Sequence, residues 1–85
     1  MEFEIYGDTV ICTVRATKAE EVGKAFEIFK MFRATLSDVM HDKDDEGHLY
    51  YIFEARFSSH VRASLAVTHY QITTGKVVVY GTCDI

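Results

Sequence analysis

Proline is absent from this 85-residue chain, and glycine occurs only five times, at positions 7, 23, 47, 75 and 81. No Pro-rich linker therefore divides the chain, and no glycine cluster can cradle a phosphate. Cysteine occurs twice, as Cys12 and Cys83, too sparsely for a disulfide framework. Both lie in apolar, strand-like contexts and are read as buried thiols on neighbouring strands. No apolar run approaches 18 residues and no basic segment leads into one, so the sequence predicts neither a membrane span nor a signal peptide. A reducing, cytoplasmic setting is expected. Basic residues are outnumbered, nine Lys and Arg against thirteen Asp and Glu, for a formal charge of −4. That balance opposes non-specific nucleic-acid binding, which needs a basic footprint, and is too small to imitate DNA by charge alone.

What is present is ordinary globular material: 48% hydrophobic and 26% charged residues, enough apolar surface to exclude disorder. Residues 1–85 are read as a single domain. A chain of this length buries only about two thirds of its unfolded surface, so a partner or a second copy would add useful burial.

Residues 2–15 alternate as a hairpin, with Gly7-Asp8 as a two-residue turn of type II′. From Thr17 to about His41, Val22, Ala25, Phe26, Phe29, Phe32, Leu36 and Met40 recur at helical spacing. This pattern predicts one long amphipathic helix, opened by a Thr17/Glu20 capping box. His48–Phe57 is the clearest strand, with Leu49, Tyr51, Phe53, Ala55 and Phe57 on one apolar face. The segment 58–74 admits two readings. As a strand, Val67–Thr73 would pair through Thr74-Gly75 with the following KVVVYGTC. As a helix it would start at a serine cap, stack Val61, Leu65, Thr68 and Ile72 on one side, and stop at Gly75. The hairpin is the favoured reading. The fold class predicted is two-layer α+β, a mainly antiparallel sheet of four to five strands on one long helix, ordered ββαβββ or, with the second helix, ββαβαβ.

No residues compose an active site, and the expectation is a non-enzyme without cofactor. The serines lack a nucleophile-elbow context, and the four histidines show neither i, i+4 spacing nor a CxxC partner. Asp42-Lys43-Asp44-Asp45-Glu46-Gly47 matches the first half of an EF-hand loop. Position 12 of that loop is Phe53, where the bidentate glutamate should stand, so no metal site is assigned. Asp42, Asp44, Asp45 and Glu46 are read instead as an electrostatic docking loop.

The informative feature is the sheet face turned away from the helix. Tyr50, Ile52, Val78 and Tyr80 should point outward together, with Tyr6 and Ile11, edged by Arg15, Arg56 and Lys76. Exposed aromatic and apolar surface framed by arginine is how protein interfaces are composed. The expected function is a protein-interaction or regulatory module that binds a protein partner or itself as a homodimer. A small inhibitor of phage or accessory type, acting on a nucleic-acid-handling enzyme, is an alternative. Single-stranded nucleic-acid binding on the sheet face is another, opposed by Glu2, Glu4 and Glu54.

Overall fold

A computed structural model describes residues 1–75 and the backbone of residues 79–83. The elements are β1 (Glu2–Tyr6), β2 (Thr9–Arg15), a short 3-10 helix (Ala16–Lys18), α1 (Glu20–Met31), β3 (Thr35–Leu36), β4 (Met40–Lys43), β5 (Leu49–Arg56), α2 (His60–Thr74) and β6 (Val79–Cys83). The fold is α+β. Its sheet runs β3-β5-β2-β1-β6, with β4 also paired to β5. Since β2 occupies one side of β5, β3 and β4 share the other, as two halves of one broken strand. All pairings are antiparallel except β1 with β6.

The β1–β2 hairpin forms as the sequence predicts. Tyr6 pairs with Thr9 across Gly7-Asp8, and φ is positive at Gly7 and not at Asp8, which is the type II′ pattern.

The long helix does not form. α1 stops at Met31, and Phe32 is its C-cap. Arg33 then takes φ 61°, its N–H donates to Lys30 O, and the Ala34 N–H donates to Phe29 O. Those two bonds make a Schellman motif with arginine in the left-handed position where glycine is usual. The capping box is also absent. Thr17 lies within the 3-10 helix, and Ala19 caps α1 without a side-chain bond. The chain beyond Ala34 turns back as β3 and β4 along β5. Between them the register slips by one residue, from Leu36 opposite Ala55 to Met40 opposite Ile52. Ser37 bridges the slip: its N–H donates to Glu54 O, and its Oγ accepts from Glu54 N. This is a bulge that interrupts an exposed edge.

The favoured hairpin, Val67–Thr73 paired with KVVVYGTC, is likewise corrected, because His60–Thr74 is helix. Ser59 Oγ accepts from Arg62 N at 3.2 Å, and Gly75 ends the helix at φ 66° with its N–H on Gln71 O. Two good caps outweigh the β-propensity of Val67, Thr68 and Ile72. The four residues Val61, Leu65, Thr68 and Ile72 do share one side of the helix, and that side is the outer one. Ala63, Ala66, Val67 and Tyr70 are buried, whereas Val61, Leu65, Thr68 and Ile72 face outward.

Both helices cover one face of the sheet. Phe3 of β1 meets Phe29 of α1 at 5.7 Å and Tyr70 of α2 at 5.2 Å between ring centroids, and Phe26 of α1 meets Phe53 of β5 at 4.8 Å. Ile5, Val10, Cys12, Ala25, Ile28, Ala55 and Phe57 belong to the same core. Cys12 on β2 and the backbone at position 83 on β6 are separated by β1, so they are not on neighbouring strands. Two inter-strand steps of about 4.8 Å exceed disulfide reach.

Candidate functional site

Among the described residues, no helix covers the other sheet face. Cross-strand register fixes what lies on it, because directly opposed residues share a face. Glu2, Thr13, Ile52 and Met40 form one row, and Glu4, Ile11 and Glu54 a second. Arg15, Tyr50 and Asp42 form a third, and Tyr6, Thr9 and Arg56 a fourth. Ile11, Thr13, Tyr50 and Ile52 are half-buried and make the centre, while the carboxylates and guanidiniums are exposed. Glu4 and Glu54 flank Ile11 from opposite sides. Arg15 and Arg56 sit at two corners, Arg15 with its guanidinium 5.9 Å from the Tyr50 ring centroid and Arg56 Nε 3.7 Å from Asp8 Oδ2. The Tyr6 hydroxyl donates to Glu4 Oε2. Two shallow hollows flank Tyr50. One of about 310 Å³ is lined by Glu2, Thr13, Arg15 and Lys18, and one of about 280 Å³ by Glu2, Asp42, Asp44 and Ile52.

Tyr50, Ile52 and Arg56 therefore lie together on this face. Val78 and Lys76 fall outside the described residues, and Tyr80 enters only by its backbone register beside Phe3. Asp42 belongs to strand β4 and joins the face, which sequence reading missed. Met40-His41-Asp42-Lys43 is exposed throughout and carries no apolar alternation that would mark a strand, while the helical spacing continues to Met40.

The acidic segment is a tight hairpin turn, not an open loop. Asp44 N–H donates to His48 O, Gly47 N–H donates to Asp44 O, and Gly47 takes φ 86°. That is the three-residue connection with a glycine bulge. The Asp44 carboxylate is the hub of the turn. Its Oδ1 accepts from the N–H groups of Glu46 and His48, both at 2.9 Å. Its Oδ2 accepts from the Tyr50 hydroxyl at 3.2 Å and lies 3.0 Å from His48 Nδ1. Desolvation acts upward on this carboxyl and is the largest single influence. The His48 and Glu46 donors and the His48 charge together outweigh it and hold the pKa at about 2. Asp44 thus holds the turn, and like Asp42, Asp45 and Glu46 it is exposed.

This arrangement yields a prediction. A folded pKa of about 2 lies below the unfolded value of roughly 3.9, so the carboxylate stabilises the fold fully above that unfolded value. The contribution disappears as pH falls through 2. Asp44→Ala should lower the melting temperature at pH 7 and flatten its decline between about pH 4 and 2, followed by circular dichroism. Added calcium should leave the wild-type melting temperature unchanged, because both Asp44 oxygens already have donors.

The histidines serve structure. His41 stacks on Tyr51, His69 meets Phe32, and His60 Nδ1 lies 2.8 Å from Gly7 O. Among the described residues no three His, Cys, Asp or Glu side chains converge as a metal site requires, and no helix is long and apolar enough to cross a membrane. No protein family matches this chain, and no curated protein or solved structure matches it significantly.

Proposed function

We propose that this chain is a non-enzymatic protein-interaction module that engages a basic protein surface through its open sheet face. The observation that carries the reading is the composition of that face. A half-buried centre of Ile11, Thr13, Tyr50 and Ile52 is bordered by Glu2, Glu4, Glu54 and Asp42, with Arg15 and Arg56 at the corners. An apolar, tyrosine-bearing middle inside a charged rim is the anatomy of a protein contact. The excess of carboxylates selects for a basic partner and speeds its approach. The same excess works against a nucleic-acid ligand, and the Arg15 guanidinium lies beside the Tyr50 ring where a base would have to stack. Inhibition of a nucleic-acid-handling enzyme is the form of this function in which the basic partner is a phosphate-binding surface. A reducing compartment is the fitting location, with the buried Cys12 as a free thiol.

The test is capture from lysate of the source cells on immobilised wild-type protein and on Ile52→Asp, with and without nuclease. The expected result is a protein retained by the wild type, insensitive to nuclease, released by high salt and lost with Ile52→Asp. Recovery of nucleic acid, or of the same proteins by both baits, would overturn the reading.

A further inference from the structure

We propose that the outer stripe of α2 is a self-association surface on which a second copy of this chain packs, α2 against α2 in antiparallel orientation. The two helices lie in one layer, yet their outward faces differ in kind. α1 shows water Glu20, Lys24, Glu27 and Lys30, with Lys24 Nζ 3.7 Å from Glu27 Oε1. α2 shows water Val61, Leu65 and Ile72, which are 66%, 55% and 76% exposed. Arg62 is its only Asp, Glu, Lys or Arg in fifteen residues. Its inward face is also apolar, and a helix that is apolar on both sides belongs between two packed surfaces.

The stripe selects its occupant. Residues 61, 65, 68 and 72 follow steps of four, three and four, the spacing of a coiled-coil seam. That sequence of steps reads the same from either end. A twofold axis through the middle of the helix therefore sets Val61 against Ile72 of the second copy and Leu65 against its Thr68, with the same pairs repeated in reverse. Thr68 suits the seam because its hydroxyl donates to Ser64 O at 2.9 Å, which leaves its methyl group to face the partner. The same axis places Arg62 opposite the second copy's Gln71, so no like charges meet. Antiparallel packing also brings each helix N-terminus beside the other's C-terminus, a favourable alignment of helix dipoles. The sheet face is the poorer seat for a second copy, since its carboxylates Glu2, Glu4, Glu54 and Asp42 outnumber Arg15 and Arg56 and a second copy brings the same excess. The two surfaces lie on opposite sides of the molecule, so the dimer keeps both sheet faces free.

One helix pair sits at or below the roughly 1,200 Å² at the low end of stable interfaces, so dissociation in the micromolar range is expected. Sedimentation velocity should show the wild type passing from 9.7 kDa to twice that mass as concentration rises. Leu65→Asp, Leu65→Gln and Ile72→Asp should stay monomeric at the same concentrations with native circular dichroism, while Ile52→Asp should dimerise as the wild type does. Orientation is read in a Cys12→Ala/Cys83→Ala background by mixing Val61→Cys with Ile72→Cys. The mixed disulfide should form faster than either like pair. A wild type that stays monomeric to millimolar concentration, dimers that survive all the α2 substitutions, or crosslinking of Val61→Cys to itself would each overturn the proposal.

Discussion

Phe3→Ala is expected to cost about 3–5 kcal/mol, the range for deleting a buried aromatic ring from a packed core. At roughly 0.05–0.15 kcal/mol per residue the whole chain has about 4–13 kcal/mol in hand, so the loss removes a large share of the stability and should move the unfolding midpoint far below that of the wild type. The reason is position. Phe3 has no solvent exposure, sits on β1 between β2 and β6, and touches Phe29 of one helix and Tyr70 of the other. No neighbour can collapse into the vacated volume without moving two helices at once. Phe3→Leu keeps most of the volume and should cost less than about 1.5 kcal/mol. Urea titration followed by circular dichroism decides it, with an unchanged slope required so that the midpoint shift reports stability. A loss below about 1 kcal/mol for the alanine variant would mean that the helices are not anchored on Phe3.

The same measurement on Ile72→Ala, in dilute protein, should show almost nothing. Sequence patterning alone ranks these two residues together, which marks where it succeeds and where it stops. The β1–β2 hairpin was legible because Gly7-Asp8 states its own turn geometry and the flanking residues alternate without ambiguity. α1 was legible in its middle, where Ala25, Phe26 and Phe29 do pack inward. Its end was not. The left-handed residue that stops it is Arg33, which carries no sequence signal for that conformation, while Phe32, Leu36 and Met40 go on at helical spacing by coincidence. In the fold Phe32 and Leu36 still reach the core from the loop and from β3, and Met40 is exposed. α2 misled for a different reason. Small Ala63 and Ala66 let the helix approach the sheet closely and so take the buried positions. The larger Val61, Leu65 and Ile72, which look like a core, face away. On the sheet face the centre, Tyr50 and Ile52, followed from simple alternation along β5. The role of Asp44 as the hub of the turn did not, because two of its donors are the turn's own backbone N–H groups, which no composition rule reveals.

Tyr70 gives the second large effect, at the alkaline end. Burial first, then the Glu21 carboxylate and the Cys12 thiol, push its phenol up to about 12, against roughly 10 in the unfolded chain. The neutral phenol is the form the native state holds. Its contribution is therefore fully present below about pH 10 and is lost as pH rises through 12, because the unfolded chain releases the proton first. The same sign applies to Cys12, whose thiol burial pushes well above its ordinary range, so its share begins to fall at a somewhat lower pH. In a titration followed at 295 nm, the Tyr70 phenol should ionise in a late step near pH 12, and that step should coincide with loss of the native circular dichroism. Tyr70→Phe should remove that late step and make the melting temperature fall less steeply above about pH 10, with the residual slope belonging to Cys12. The same titration curve for the wild type and Tyr70→Phe apart from one fewer group ionising near pH 10, with the native spectrum kept, would show that the phenol is open to water. The packing of α2 on β1 through Phe3 and Tyr70 would then be wrong at that point.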